Sequence, residues 1–439
     1  MYEATKQYRE ALESAIMQSD VVKIFDNLLT IAVEEDASDI HIEPLENYCR
    51  IRIRIDGVLN ELVQYPKTLH ENIISKFKIE SGQMRPDEKR LPQDARVSNV
   101  TLTNKEIDMR ANTLPTVWGE KLVMRIVDKS KEIPPLEELW LEWSNEKIIQ
   151  KHLSFPNGII LNTGPTWSGK TTTLYACLDY VNKSDVNIIT YEDPVENKMN
   201  WLNQAQVRSD IGFTFANGLR WWLRQDPDIM MVWEIRDKET LDMAMESAMT
   251  WHLMFSTVHT NSAIETISRV LNLWAKPYMI AGTFNLVIAQ RLCRRVCKKC
   301  AEEIDVKNDE RRVHAKHTFE NFDKELLKKE IVSRWITKQQ WTNFISEGKI
   351  LKWSWKVWWD VCPVCGGTWY KWRVWIFELM DYTDDIKNML LEWKSNMEIE
   401  QFALKNWMID LERDWIFKII KWMTDLDEIY RYVKTKYNE

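Results

Sequence analysis

The sequence predicts an α/β chain of two or three domains, and three observations carry that reading. Apolar β-type runs alternate with helix-compatible runs from Asn157 to about Gln290, the pattern of a mostly parallel sheet. A glycine-punctuated loop, Gly164-Pro165-Thr166-Trp167-Ser168-Gly169-Lys170-Thr171, separates the run Gly158-Ile159-Ile160-Leu161 from a helix-compatible run, Thr171 to Tyr180. With 439 residues the chain is long enough to bury more than one core.

Taken in order, residues 1–128 read as a small α/β module. An amphipathic helix (about Val21 to Glu35) leads to alternating strands at Ile40-His41-Ile42 and Arg50-Ile51-Arg52-Ile53-Arg54. Asp56-Gly57 signals a hairpin turn before Val58-Leu59. A linker over 129–145 carries Pro134-Pro135, which forbids a continuous helix. The alternating core covers 146–290, a cysteine-bearing module 291–378, and a helical subdomain 379–439. No internal repeat or low-complexity tract interrupts them.

Composition narrows the function. The formal net charge is -7, so no overall basic field points to nucleic acid. No run approaches the length of a membrane span, and the opening MYEATKQYREALESAIMQSD lacks the apolar centre of a signal peptide. A cytosolic protein that can still dock on a membrane protein is the expectation. Four of the seven cysteines stand in two C-x-x-C pairs, which suits a reducing compartment and metal better than structural disulfides.

The loop fits G-x-x-x-x-G-K-[ST], whose backbone N–H groups wrap a nucleotide's phosphates. Lys170 would reach the β/γ oxygens, the Thr171 hydroxyl would hold Mg²⁺, and Thr172 follows it at the helix start. Three later stretches supply what phosphoryl transfer to water requires. Ile189-Thr190-Tyr191-Glu192-Asp193-Pro194-Val195-Glu196 places carboxylates after a short β run. Asp226-Pro227-Asp228-Ile229-Met230-Met231-Val232-Trp233-Glu234-Ile235-Arg236-Asp237 ends an apolar strand on an acid, as Mg²⁺- or water-positioning carboxylates do. His252-Leu253-Met254-Phe255-Ser256-Thr257-Val258-His259-Thr260-Asn261 is a buried-type strand bracketed by histidines. Any one of these alone reads as solvated polar residues at a strand end; their succession after a P-loop does not.

In that succession the chain resembles the secretion-ATPase superfamily, specifically the assembly ATPases of type IV pili and type II secretion. Their Walker A, Asp box, Walker B and His box match the four stretches. Ala37-Ser38-Asp39-Ile40-His41-Ile42-Glu43-Pro44, Arg52-Ile53-Arg54-Ile55-Asp56-Gly57, Leu91-Pro92-Gln93-Asp94 and Leu114-Pro115-Thr116 resemble the family's second N-terminal domain. The resemblance runs from about residue 21 to the C-terminus and lacks the family's usual first N-terminal, docking domain. It implies a RecA-like P-loop NTPase core behind a PAS-like α/β domain, with ATP, Mg²⁺ and Zn²⁺ as cofactors. It implies Glu192 as general base or water orienter and Glu234 as the residue holding Mg²⁺ through water, with the reverse assignment open. Asp193 and His259 would shape the site; Arg110 with Arg125, and Arg220 with Arg224, match arginines that stabilise charge on the transferring phosphoryl group. Without the match, each arginine reads as a surface ion-pair partner.

Cys297-Lys298-Lys299-Cys300 and Cys362-Pro363-Val364-Cys365 supply four thiolates, which suit a closed tetrahedral Zn²⁺ site. The long interval from Cys300 to Cys362 exceeds a compact ribbon's spacing, leaving paired or redox-active thiols as the alternative. The family's metal-binding module favours zinc and argues against a pilus-retraction ATPase, a branch that typically lacks the tetracysteine. Cys49, Cys177 and Cys293 read as buried small apolar groups.

Tryptophan and glycine counts are abnormal. The chain has 23 Trp and 12 Gly, so glycine is about 3% against a usual ~7%. Together the two make about 8%, close to an ordinary glycine content alone. No tryptophan precedes Trp118, whereas Trp353, Trp355, Trp358 and Trp359 crowd one segment. Against the family pattern, Trp167, Trp233, Trp251, Trp369, Trp372 and Trp375 replace glycines, and Trp140, Trp201, Trp274, Trp407, Trp415 and Trp422 look the same. These positions are expected at turns and close backbone approaches, where glycine's freedom is needed. Trp118 and Trp222 match no obvious family glycine. Such a pattern is what UGA codons rendered as tryptophan leave when the source organism inserts glycine there; a degenerate ATPase with a blocked site is the competing reading.

The resemblance therefore implies a hexameric, Mg²⁺-dependent ATPase, peripheral to the inner membrane on its cytoplasmic side. It would act on a polytopic inner-membrane platform protein and, through it, on pilin-like subunits, without contacting nucleic acid. Pilus assembly, type II secretion and DNA-uptake pili are not separated by these motifs. A nucleic-acid motor lacks support in a basic stripe or stacking aromatics, and a non-hydrolysing scaffold would require Trp167 and Trp233 to be genuine.

Overall fold

Strict alternation shapes the first unit. In Cys49–Ile55 the isoleucines at 51 and 53 are buried, while Arg50, Arg52 and Arg54 line the opposite, half-buried face. A computed structural model describes residues 2–130, 132–139, 143–208, 211–320, 322–353, 362 and 364–428. It divides into two units, the first built from 1–132 with 297–300 and 355–372, the second from 133–296, 301–354 and 373–439.

The first unit begins with α1 (Tyr2–Met17) and α2 (Val21–Glu34), the second capped by Asp20, whose side chain accepts from the Lys23 N–H at 3.1 Å. Strands β1 (Asp39–Pro44), β2 (Cys49–Ile55) and β3 (Val58–Tyr65) precede α3 (His70–Ser81), and β4 (Gln93–Leu102), β5 (Lys105–Thr116) and β6 (Gly119–Asp128) follow it. Together they form one sheet in the order β3-β2-β1-β6-β5-β4, antiparallel throughout. The predicted hairpin is present: Ile55 pairs with Val58 across Asp56-Gly57, both at positive φ. Ile24, Leu28 and Ile31 of α2 pack on Ile40, Ile42, Ile51 and Ile53, one apolar face covered by helices. Arg50 meets Glu43 at 2.9 Å and Arg54 meets Asp39 at 3.2 Å on the other face.

The second unit contains α4 (Trp143–Leu153), β7 (Gly158–Thr163), α5 (Lys170–Val181), β8 (Ile188–Glu192), β9 (Asn203–Gln206), α6 (Phe215–Trp222), β10 (Ile229–Val232) and α7 (Lys238–Met249). Next come β11 (Leu253–Val258), α8 (Glu265–Asn272), α9 (Pro277–Thr283), β12 (Phe284–Val296), β13 (Ala301–Asp305), α10 (Glu310–Glu320), α11 (Lys324–Ser333), α12 (Lys338–Thr342) and β14 (Lys349–Trp353). The last elements are β15 (Tyr370–Asp381), which belongs to this unit from Arg373 on, α13 (Asp384–Leu391), α14 (Asn396–Asn406) and α15 (Leu411–Ile420).

Among the described residues seven strands form the main sheet in the order β15-β12-β7-β11-β10-β8-β9, and the six from β12 to β9 run parallel to one another, as the alternating pattern predicted. β7, β10 and β11 are buried at every position, and apolar residues fill β10 and the N-terminal halves of β7 and β11. Period two still operates inside them. Ile159 and Leu161 join the cluster of Met254 and Val258, whereas Ile160 joins that of Phe255 and Leu286 on the other face. The central β7 therefore delivers its C-terminal end between two helical layers. Cys49, Cys177 and Cys293 lie buried in apolar clusters, as expected. Among the described residues no helix is long and apolar enough to cross a membrane.

In the first unit α3 is tied to β6 by a buried ion pair. Lys78, with no exposed surface, donates to Glu120 Oε1 at 2.7 Å and Oε2 at 2.8 Å. Removing one partner strands the other charge. Glu120→Ala is expected to lower the unit's unfolding free energy by ~3–5 kcal/mol in urea denaturation, while Lys78→Met with Glu120→Leu recovers most of it. An unchanged midpoint in the single variant would mean that the ammonium finds water.

Candidate functional site

β7 is apolar to Leu161 and then turns polar at Asn162 and Thr163, where the chain leaves the sheet. The loop that follows needs glycine at its first position: a Cβ on Gly164 would lie 2.6 Å from the Gln290 carbonyl and 2.7 Å from Ser168 Oγ. Gly169, at φ 85, turns the chain into α5, whose first residue is Lys170. The loop is braced from the neighbouring strand. Buried Gln290 of β12 donates to the Ser168 carbonyl at 2.7 Å and accepts from Asn162 Nδ2 at 2.8 Å. On the other side Thr163 Oγ1 accepts from the Thr260 N–H at 2.9 Å, fixing the segment after β11. Thr171 and Thr172 are half-buried at the start of α5, whereas Pro165, Thr166 and Trp167 are exposed and Ser168 is buried.

Lys170 Nζ donates to the carbonyls of Gly164 at 2.6 Å and Pro165 at 3.1 Å, so the loop's own oxygens hold the ammonium. Burial pulls its pKa down to about 8, opposed by the nearby Glu234 charge. Glu234, just past β10, accepts from Arg236 Nε at 2.7 Å and lies 3.3 Å from His259 Nε2. Arg236 in turn reaches Asp193 at 3.8 Å. His259 is held below its ordinary pKa by burial and by the Lys170 charge. A cleft of about 400 Å³ is lined by Gly164, Pro165, His259, Thr260, Asn261 and α8 residues including Arg269. One end of the sheet thus gathers the P-loop, Glu234, His259 and Asp193.

Glu192 is set differently. It closes β8 with no exposed surface and accepts hydrogen bonds from Thr190 Oγ1 at 2.6 Å, Gln204 Nε2 at 3.1 Å and the Tyr175 hydroxyl. Burial raises its pKa, and those three donors pull against the rise. Three of about four carboxylate acceptor sites are therefore filled. Arg220, on α6, pairs with Glu239 at 3.0 Å, and the Arg224 guanidinium stacks on Trp221 at 5.1 Å. Arg110 and Arg125 sit opposite each other on β5 and β6 in the first unit, with Arg125 3.6 Å from Asp39. The motif residues were legible in sequence, whereas Gln290, Asn162, Tyr175 and Gln204 were not singled out.

Cys297, Cys300, Cys362 and Cys365, all buried in the first unit, bring their sulfurs within 4.8 Å of one another. The Cys297–Cys362 and Cys300–Cys365 sulfurs lie 4.0 and 3.6 Å apart. A disulfide requires about 2.05 Å, whereas four thiolates about 2.3 Å from one tetrahedral zinc lie roughly 3.8 Å apart. The set fits a single ion of that kind.

The chain matches the family described as Type II/IV secretion system protein over residues 15–431. It is 37% identical over 430 residues to the Type IV pilus assembly ATPase PilB of Myxococcus xanthus, covering 97% of this chain and 71% of that protein. It is 35% identical over 426 residues to the Type II secretion system protein E of Aeromonas hydrophila, covering 97% and 78%. Among solved structures it resembles the Yersinia pseudotuberculosis ATPase DotB, with a TM-score of 0.62 at 20% identity over 93% of this chain and 92% of that one. The pilus retraction motor PilT with bound ADP gives a TM-score of 0.58 at 22% identity over 94% and 97%. At such identities these two structures bear on the fold alone, which is that of P-loop ATPases. With its motifs, fold and nearly whole length matched, the chain belongs to the Type II/IV secretion system protein family.

Proposed function

We propose that this protein hydrolyses ATP to drive assembly of type IV pilus or type II secretion pseudopilus filaments. The observation that carries the reading is the convergence of Lys170, Glu234 and His259 at one end of β7, β10 and β11. The names of the relatives supply its context. On binding, the phosphates take over the Lys170 ammonium from the Gly164 and Pro165 carbonyls, while the backbone of 164–169 surrounds them. Thr171 and Glu234 would hold Mg²⁺, which neutralises phosphate charge when bound. Glu234 suits that task because the Arg236 guanidinium pairs with it and His259 lies 3.3 Å away.

Glu192 is the proposed base or water orienter. Its burial makes it a stronger base than an exposed carboxylate, and its three donors fix it while leaving about one acceptor site for a water. Asp193 and His259 position the surroundings. Arg110, Arg125, Arg220 and Arg224 are proposed to stabilise the transferring phosphoryl group, within a homohexamer whose domain movements couple hydrolysis to work. The work is done on a polytopic inner-membrane platform protein, with the ATPase bound peripherally at the cytoplasmic face. The four cysteines would hold a structural Zn²⁺ that closes a long connecting segment.

Three outcomes follow. Lys170→Ala should abolish hydrolysis while hexamers persist in sedimentation. Glu192→Gln should cut turnover about 10²–10⁴-fold with ATP binding retained, and Glu234→Gln should raise the Mg²⁺ requirement. Exchanged phenotypes would exchange the two roles, and near-normal turnover in all three variants would refute the site. The second concerns pH. Below about 8 Lys170 is already charged in the empty site, whereas above it binding must take up a proton. Affinity for a fluorescent ATP analogue should therefore be flat to about pH 8 and fall up to about tenfold per unit above it. A flat profile to about pH 9 would contradict the burial of the ammonium. Finally, elemental analysis should find one zinc per chain, lost in Cys300→Ser with Cys365→Ser; metal-free wild-type protein would remove zinc from the proposal.

A further inference from the structure

The backbone tests the tryptophans one position at a time. Among the described residues, Trp167, Trp251, Trp274, Trp335, Trp369, Trp372, Trp393 and Trp422 lie at φ between 56 and 71. Left-handed backbone of this kind suits glycine and, less well, short polar residues such as Asp56 and Asn104, which occupy it here too. A bulky aromatic gains nothing there that offsets the clash of its Cβ.

Four of the eight close a helix in one way. After α8, the Trp274 N–H donates to the Leu271 carbonyl at 2.9 Å and the Ala275 N–H to Val270 at 3.1 Å. After α11, Trp335 donates to Val332 and Ile336 to Ile331, both at 3.1 Å. After α13, Trp393 donates to Leu390 at 3.1 Å and Lys394 to Met389 at 3.0 Å. After α15, Trp422 donates to Ile419 at 2.8 Å and Met423 to Lys418 at 2.9 Å. This paired arrangement is the Schellman cap, whose left-handed residue is usually glycine. A glycine, Gly82, follows α3 at a similar φ of 63 and donates to the Ile79 carbonyl at 3.0 Å.

Burial does not repay the conformation. Trp251, Trp274, Trp335 and Trp393 are 75–85% exposed, so their indoles cover little apolar surface. Where suspect indole nitrogens are buried, the chemistry fails instead: the Nε1 donors of Trp375, Trp407 and Trp415 have no hydrogen-bond partner among the described residues. Trp375 Nε1 also stands 2.6 Å from where a Cβ on Gly169 would be. Not every expected position is a left-handed turn. Trp415 lies within α15, Trp375 within β15, Trp407 has φ −157, Trp201 and Trp233 are not left-handed, and Trp140 falls outside the described residues. Trp222 behaves as a genuine tryptophan, buried with its ring 4.9 Å from that of Tyr191.

We propose that these eight left-handed positions carry glycine in the working protein, including Trp335 and Trp393, which the family pattern did not single out. The P-loop at work then reads Gly-Pro-Thr-Gly-Ser-Gly-Lys-Thr, and its consequence for nucleotide affinity rests on the ATPase reading above.

Protein purified from its source cells decides the assignment by peptide mass spectrometry. Glycine masses at 251, 274, 335 and 393 are expected, and tryptophan masses there overturn it. A second measurement compares recombinant chains: the sequence as printed, Trp167→Gly alone, and all eight changed to glycine. The eight-fold variant should unfold at higher denaturant concentration, and Trp167→Gly should tighten ATP binding roughly tenfold or more. An eight-fold variant less stable than the printed chain would also overturn the assignment. Glycine masses together with no ATP binding by the eight-fold variant would uphold the assignment and sink the nucleotide reading instead.

Discussion

A bare stretch of backbone at the end of β7 is the constraint on which the site depends. Phosphate recognition by peptide N–H groups requires that nothing project from 164–169 toward the ligand, and that the loop keep its shape when empty. The sheet supplies the shape. Gln290 can reach the Ser168 carbonyl because β12 lies beside β7, and Thr260 can reach Thr163 because β11 lies on the other side. Strand order is thus part of the binding chemistry. A buried carboxamide with its partners removed costs ~1–3 kcal/mol, so the brace favours one loop conformation over others.

The same end of the sheet separates two carboxylates by environment. Glu234 stands in an ion pair with Arg236, beside His259 and within the field of Lys170. Glu192 is enclosed by neutral donors and has no cation against its carboxylate among its described partners. Burial pushes the Glu192 pKa up, whereas Glu234 is paired with the Arg236 guanidinium. Two chemically identical side chains so acquire the different tasks that water activation and cation holding demand.

Local strings were readable in the sequence because their meaning is local. The P-loop, the acids at the ends of β8 and β10 and the two C-x-x-C pairs each fall within a few residues, and the alternating isoleucines and arginines of β2 announce its two faces. Gln290, Asn162, Tyr175 and Gln204 were not readable for the converse reason. Each acquires its role from a neighbour brought by strand order, and no spacing along the chain encodes that neighbour. The cysteines lie between these cases. Each pair is local, but their meeting across the interval from 300 to 362 is a fact of the fold, and the fold also places them with the first unit.

The tryptophans show how a structure can correct the reading of its own sequence. A non-glycine residue in left-handed backbone costs about 1–2 kcal/mol, so the six in the second unit would cost roughly 6–12 kcal/mol there. A domain's whole stability is about 5–15 kcal/mol. Strain at one loop residue is a familiar feature of functional sites, and Trp167 alone would fit that description. Schellman caps after α8, α11, α13 and α15 have no such excuse, because they lie at ordinary helix ends, and the indoles after the first three gain little burial. A degenerate, blocked enzyme would accumulate damage at its site and be under no pressure to place it at helix C-termini. Misread glycine codons fall wherever the backbone needs glycine, at the site and at the caps alike, and that is the distribution the backbone shows.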